Sequence, residues 1–262
     1  MKGEHPIGVF DSGVGGTSIW REIRALLPYE STYYLADSAN APYGNRPKEE
    51  IIALSIKNTE FLLERNCKLI VVACNTATTN AISVLRERYK VPFIGIEPAI
   101  KPAALHSRSR TVGVLATKGT LTSQLFHSTV RDHASGITIV EQVGTGLVPL
   151  IEQGMEKSPE TRKLLGKYLD PMIKQGIDYL VLGCSHYPYL IPVLKELLPR
   201  GVQIIDSGEA VARQTQAVLE HKDLLNKVSQ SAFHRFYSNK DKAILHRLVG
   251  DMGHVSVEEV IF

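Results

Sequence analysis

The 262 residues are 44% hydrophobic and 22% charged, with 30 basic against 27 acidic side chains and a net charge of +3. That balance is globular, which excludes a disordered chain, a coiled coil or a collagen-like chain and argues against nucleic-acid binding by composition. No run reaches the ~20 apolar residues of a membrane helix, and the start of the chain lacks the basic-then-apolar layout of a signal peptide. A soluble cytoplasmic protein of one large or two modest domains is expected. Three cysteines, Cys67, Cys74 and Cys184, are too few and odd in number for a disulfide framework. Neither Cys-x-x-Cys nor His-x-x-x-His occurs, so no structural zinc site is expected.

Short apolar runs alternate with amphipathic stretches, the pattern of a parallel sheet with helices on its faces. Strands are predicted at Ile7–Phe10, Thr32–Ala36, Leu69–Ala73, Phe93–Ile96, Val112–Leu115, Ile137–Val143, Tyr179–Leu182 and Gln203–Ile205. Their Val, Ile and Leu content suits strands covered on both sides. Helices are predicted over Lys48–Arg65, opened by Pro47 and the acids Glu49 and Glu50, and over Pro159–Gln175. From Ser229 to Phe262 the pattern predicts a hairpin or edge strands, Phe233–Tyr237 and Val255–Phe262, around a helix near Lys240–Val249.

The chain also repeats itself. Gly8-Val9-Phe10 falls on Gly113-Val114-Leu115, and Ser18 falls on Ser123. Val71-Val72-Ala73-Cys74 falls on Val181-Leu182-Gly183-Cys184, and Ile96-Glu97 falls on Ile205-Asp206. The unit is far too long for a solenoid, so the expected fold is α/β with two related lobes, each a mainly parallel sheet flanked by helices. Ligands of open parallel sheets bind beyond the carboxyl ends of the strands. Polar residues gather at those ends: Asp11-Ser12, Asp37-Ser38, Cys74-Asn75-Thr76, Glu97, Thr117, Cys184-Ser185-His186 and Asp206-Ser207. With the lobes face to face, Cys74 and Cys184 look into one cleft from opposite sides.

Each constellation has a plain structural reading as well. Asp11-Ser12-Gly13-Val14-Gly15-Gly16 is a strand-to-helix turn with free N–H groups for an anion, or simply a tight turn capped by Asp or Ser. It is neither the dinucleotide fingerprint nor a Walker loop. Ala41-Pro42-Tyr43-Gly44 is a turn whose Tyr hydroxyl and N–H groups suit a carboxylate, or only a loop. Cys74 and Cys184 each stand at a strand end before a predicted helix, whose N-terminus lowers a thiol pKa. A lone buried cysteine is commonplace; two at repeat-equivalent positions, flanked by hydrogen-bonding groups, are harder to explain that way. Two facing thiols suit removal of a proton from one face of a carbon acid and its return on the other. A redox pair of the same cysteines is the competing chemistry.

The segments from Phe10 to Gly16, from Asn40 to Gly44, from Ala73 to Ala77, from Gly183 to Pro188, and Asp206-Ser207 resemble the signature motifs of the glutamate racemase family, cofactor-independent isomerases of peptidoglycan synthesis. The resemblance runs over nearly the whole chain. It implies that Cys74 and Cys184 are the catalytic acid/bases, with Cys184 starting from L-glutamate and Cys74 from D-glutamate. Asp11 is placed to hydrogen-bond the substrate amine or to assist Cys74, and His186 to assist Cys184. Substrate contacts are implied for Asp11, Ser12, Pro42, Tyr43, Gly44, Asn75, Thr76, Thr117, Thr120, Glu152, Ser185 and His186. It implies lobes of residues 1–97 with 208–262 and of residues 98–207, a substrate cleft between them, no cofactor and no metal. A homodimer is left open.

Two departures follow from the resemblance. Ser185 stands where the family usually has Thr, which keeps the hydroxyl and loses a methyl contact. Asp11 lies close to the chain start, whereas members regulated by a cell-wall nucleotide precursor carry an N-terminal extension, so that regulation is not expected. The rival readings are a racemase of aspartate or another amino acid, a thiol–disulfide enzyme, and a binding protein such as one restraining DNA gyrase.

Overall fold

The computed structural model describes residues 2–227, 232–240, 242–250 and 253–262. Its first run is Ile7–Asp11 (β1), Thr17–Leu26 (α1), Thr32–Ala36 (β2), Lys48–Glu64 (α2), Leu69–Val72 (β3), Asn75–Arg88 (α3), Phe93–Gly95 (β4) and Ile100–His106 (α4). The second is Thr111–Ala116 (β5), Lys118–Leu121 (α5), Gln124–His133 (α6), Thr138–Val143 (β6), Leu147–Glu152 (α7), Pro159–Lys174 (α8), Tyr179–Gly183 (β7), Ile191–Leu197 (α9) and Gln203–Ile205 (β8). Gly208–His221 (α10), His234–Ser238 (β9), Ala243–Val249 (α11) and Val255–Glu259 (β10) complete it. The eight strands predicted between Ile7 and Ile205 all form, within one residue at either end.

Two all-parallel sheets result, ordered β10-β9-β2-β1-β3-β4 and β6-β5-β7-β8. The segment β2-β1-β3-β4 has the same order as β6-β5-β7-β8, so the sequence repeat is a repeat of topology. It is also a repeat of register. Val9 pairs with Val71 in one sheet, and Val114 with Val181 in the other. These are the residues that the sequence alignment of the two halves superposes.

Alternation along β1 explains the layering. Ile7 and Val9 pack with Ile19, Trp20 and Ile23 of α1 and Val211 of α10 on one face. Phe10 packs with Ile51 and Leu62 of α2 and Ala77 of α3 on the other. Cys67 belongs to that second face, where a Cβ on Gly8 would come within 3.0 Å of its sulfur. In the second sheet, Leu115 faces α8 and α9, while Val112 and Val114 face α4 and α6.

Trp20 ties the tail to this core. It is fully buried edge-on to Phe236 of β9, ring centroids 4.7 Å apart, and its Nε1 donates to Thr32 Oγ1 at 2.9 Å. The Thr32 hydroxyl also meets His234 Nδ1 at 2.9 Å. Burial of that ring lowers the His234 pKa to about 4, so the imidazole packs as a neutral group. Truncating a buried aromatic such as Trp20 costs about 3–5 kcal/mol.

The tail corrects one expectation. β9 and β10 pair in parallel, with α11 as the crossover between them, and β9 lies inside the sheet against β2. A hairpin would need antiparallel strands joined by a short turn; here a helix occupies the connection, and parallel strands require such a crossover. Residues 229–231, 241 and 251–252 of the predicted tail lie outside the described residues. Among the described residues no helix is long and apolar enough to cross a membrane.

Candidate active site

The carboxyl ends of the two sheets meet. β1 ends in Asp11, whose Oδ2 accepts from Gly16 N at 2.9 Å and whose Oδ1 accepts from Ser185 Oγ at 3.2 Å. The first contact closes the glycine turn and satisfies an N–H at the start of α1. Asp11 thus serves that helix end from five residues back, while the N-cap position itself is Gly16 with no side-chain cap. Ser18 Oγ of α1 donates to the Ser185 carbonyl at 2.9 Å, a second bond between the sheets' ends.

The anion suggested for the glycine turn is a side chain of the protein. Val14 N donates to Glu152 Oε1 at 2.8 Å, and the same oxygen lies 2.6 Å from His186 Nε2. Both contacts need the turn to lack side chains. A Cβ on Gly13 would stand 2.1 Å from Glu152 Oε1, and one on Gly15 would stand 2.2 Å from His186 Nδ1. His186 Nδ1 in turn faces Ser185 Oγ at 3.5 Å and Cys184 Sγ at 3.9 Å.

Cys74 is the N-cap of α3. Its sulfur accepts from Ala77 N at 3.4 Å, and the thiol donates to Ser12 Oγ at 3.6 Å. The helix start predicts a lowered thiol pKa, and the structure reverses that. Burial, followed by the charge of Asp11, pushes the Cys74 thiol up, against the pull of Ala77 N–H and Ser12. Desolvation outweighs one backbone donor. Cys184 differs again: it precedes a single 3₁₀ turn, Tyr187–Leu190, before α9, so it heads no α-helix directly. Its polar neighbour is His186. All three cysteines are free thiols, with Cys74 4% and Cys184 6% exposed. Cys184 lies close enough to Cys74 for its charge to contribute to the rise there.

The surrounding charges are unequal. Burial alone would lower the His186 pKa, but its bonds to Cys184 and Glu152 outweigh that and hold it well above the usual histidine value. Burial would raise Glu152, yet the hydrogen bond and charge of His186 and the Val14 N–H keep it below the usual carboxylate value. Asp11 is raised by burial, partly offset by His186 and Gly16 N–H. One thiol therefore has the imidazole of His186 beside it, with its pKa held up, and the other the carboxyl of Asp11.

A hydroxyl chain lines the opposite wall. Thr76 Oγ1 lies 2.8 Å from Thr117 Oγ1, which lies 3.0 Å from Thr120 Oγ1, so α3 and α5 join across the sheets. Gly44 approaches Thr117 so closely that a Cβ would sit 2.9 Å from its Cβ. Asn75 opens α3 with both side-chain amide atoms buried and, among the described residues, without a hydrogen-bond partner. Pro42 and Gly44 flank a cavity of about 70 Å³ with Thr117 and Pro149.

Of the residues predicted for the site, Asp11, Cys184, Ser185, His186 and Glu152 form one bonded cluster, and Ser12 and Cys74 form a bonded pair. Thr76, Thr117 and Thr120 form a second cluster, with Gly44 against it. The Tyr43 hydroxyl lies outside both. It donates to Asp37 Oδ2 and accepts from Asn58 Nδ2 at 3.0 Å. That leaves the backbone of the Tyr43–Gly44 turn to meet an anion. Asp37 is the residue that sequence reading placed at a strand end without a task. Its other oxygen accepts from Asn40 Nδ2 at 2.8 Å and from Asn239 Nδ2 of the tail at 2.5 Å. The polar strand end was a signal for Asp37; nothing in the sequence pointed to Asn239.

A family model for Asp/Glu/hydantoin racemases matches residues 10–215. The glutamate racemase of Ectopseudomonas mendocina is 47% identical over 258 residues, covering 96% of this chain and 97% of that one. A glutamate racemase isoform of Bacillus anthracis superposes with a TM-score of 0.87 at 32% identity, over 98% of each chain. The Escherichia coli glutamate racemase, solved with L-glutamate and the activator UDP-MurNAc-Ala, superposes with a TM-score of 0.86 at 32% identity, also over 98% of each.

Proposed function

The chain belongs to the Asp/Glu/hydantoin racemase family, and from that premise we propose that it interconverts L- and D-glutamate through two opposed thiols, Cys74 and Cys184. The observation that carries the reading is the position of those thiols. Each follows the equivalent strand of its sheet, β3 and β7, and strand-end residues beside them, Asp11 and Ser185, are bonded to each other. In this reading the lobes are residues 1–97 with 208–262 and residues 98–207, and the packing of α10 on α1 supports that division.

A thiolate on one side takes the α-proton, breaking Cα–H and forming S–H. The thiol on the other side gives its proton to the opposite face, and the configuration inverts. No atom is gained or lost. From L-glutamate the base is Cys184, and from D-glutamate it is Cys74. His186, protonated through Glu152, stabilises the Cys184 thiolate, so Glu152 acts as a positioning residue. Asp11 receives the proton of Cys74 or the substrate ammonium. The unpartnered amide of Asn75, the hydroxyls of Ser12, Thr76 and Ser185, and the Tyr43–Gly44 N–H groups hold the substrate carboxylates and stabilise the carbanionic transition state. Thr117 and Thr120 orient Thr76, and Pro42 leads into the Tyr43–Gly44 turn. The D-glutamate formed would serve peptidoglycan synthesis.

Polarimetry tests this directly. Protein dialysed against a chelator and supplied with no cofactor is expected to bring the rotation of L-glutamate to zero, and to leave L-aspartate unchanged. An unchanged rotation of L-glutamate overturns the reading, and racemised aspartate shifts it to the neighbouring substrate.

A further inference from the structure

On its outer side Glu152 faces a second hollow, of about 340 Å³, shared with Ser38, Pro42, Gln153, Lys240 and Ile244. That volume suits a small ligand rather than a macromolecule. The mechanism leaves three of its polar groups without a task. Ser38 is only 7% exposed, and its hydroxyl is buried without a hydrogen-bond partner among the described residues. Gln153 follows Glu152 directly. Among the described residues the Lys240 ammonium has no ion pair, although its charge reaches Glu152 and helps to hold that carboxylate ionised. The Lys240 backbone is nevertheless anchored, and its side chain is exposed. Its N–H donates to Ser238 Oγ at 3.3 Å, and that hydroxyl donates to the Lys240 carbonyl at 2.8 Å, anchoring it beyond the end of β9.

We infer that this hollow is an arrival subsite for the amino-acid substrate, where Lys240 takes a carboxylate before the molecule passes Pro42 to the thiols. The inference rests on the racemase reading above. The ligand class follows from the paired charges. A cation, a buried hydroxyl and an amide offer donors to a carboxylate. Glu152 has one oxygen committed to His186 and Val14, and its other oxygen accepts an ammonium. A phosphate or a nucleotide would bring negative charge against Glu152, and a simple amine would meet Lys240. An amino acid with a second carboxylate satisfies both ends, and its net negative charge is drawn by the exposed cation.

The experiment is steady-state racemisation of glutamate by the parent and by Lys240→Arg, Lys240→Ala and Lys240→Glu, at low and high ionic strength. Electrostatic capture changes the encounter rate and is screened by salt. For Lys240→Ala, kcat/KM is expected to fall about three- to tenfold with kcat within about twofold, and for Lys240→Glu it falls further. Lys240→Arg stays close to the parent, and the parent's decline with salt flattens in Lys240→Ala. Ser38→Ala raises KM with little change in kcat. A response graded by charge is one that a merely structural lysine would not give. A parent that racemises glutamate, with Ala and Glu variants equal to it at low salt, overturns the subsite alone. A parent inert on both enantiomers overturns the racemase reading and the subsite with it.

Discussion

Ser185 Oγ donates to Asp11 Oδ1 at 3.2 Å, although 174 residues separate them in the chain. The bond joins the ends of the two sheets, Ser185 following Cys184 directly and Asp11 ending the strand beside β3. A hydrogen bond to a charged partner contributes about 1.5–3 kcal/mol. Ser185→Ala is therefore expected to lower kcat/KM by roughly ten- to a hundredfold, a factor of ten corresponding to about 1.4 kcal/mol. Ser185→Thr keeps the donor and restores the methyl usual in the resembling family, so its kcat/KM should stay within a few-fold of the parent. An Ala variant as active as the parent would remove this bond from the account.

Cys74→Ser and Cys184→Ser should each lose nearly all racemisation, because a hydroxyl is far less acidic than a thiol of the same shape. Cys67→Ser is the control. Cys67 packs in the core against Gly8 and α2, and burial pushes its thiol up to about 12. It should retain turnover while unfolding at a lower temperature, since it buries a hydroxyl among apolar groups. Measurable racemisation by either of the first two variants, with circular dichroism unchanged, refutes the two-thiol assignment.

The His186–Glu152 pair predicts a pH signature. Glu152 raises the His186 pKa, so Glu152→Gln should let the imidazolium deprotonate at lower pH. The alkaline limb of kcat/KM then moves toward neutrality. Stability follows the same two groups with opposite signs. The His186 contribution, from a raised pKa, is complete below the unfolded value of about 6.5 and is lost as pH climbs through the folded value. The Glu152 contribution, from a depressed pKa, is present above about 4.5 and is lost as pH falls through its folded value. The parent should thus exceed Glu152→Gln in stability most clearly between those limits, in urea melts run across pH. A pH-independent difference would contradict the pairing.

The architecture was largely legible because it is written in local pattern. Val9, Val71, Val114 and Val181 lie in apolar runs that end in polar residues, and a parallel strand buried on both faces needs little else. The direction of β9 and β10 was not legible, since alternation along a strand carries no information about its neighbour's direction. The strand-end positions of Cys74 and Cys184 are legible in the repeat, but the burial around them is not. A helix start predicts an acidified Cys74, whereas burial by both sheets reverses the shift, and that burial exists only after folding. The glycine turn and His186, both distant from Glu152 in sequence, hold one oxygen of its carboxylate, a partnership that only the fold creates. Tyr43 was read through its hydroxyl, which Asp37 and Asn58 occupy.

Isotope flow separates two bases from one. L-glutamate racemised in deuterated water and sampled early reports which proton goes where. The proton removed by Cys184 remains on that sulfur, while the group delivered by Cys74 comes from a thiol already equilibrated with solvent. New D-glutamate should therefore carry deuterium at the α-carbon, and the remaining L-glutamate should carry little. A single swivelling base would return solvent deuterium to the starting enantiomer as well. The distinction requires that the intermediate be reprotonated before the first thiol exchanges with water. The burial of both sulfurs, at 4% and 6% exposure, favours that order by limiting solvent contact. Started from D-glutamate, the roles reverse and the L-enantiomer should gain the label first. Early and extensive deuteration of the recovered substrate, in mass spectra of the separated enantiomers, would count against two opposed thiols even with both cysteines essential.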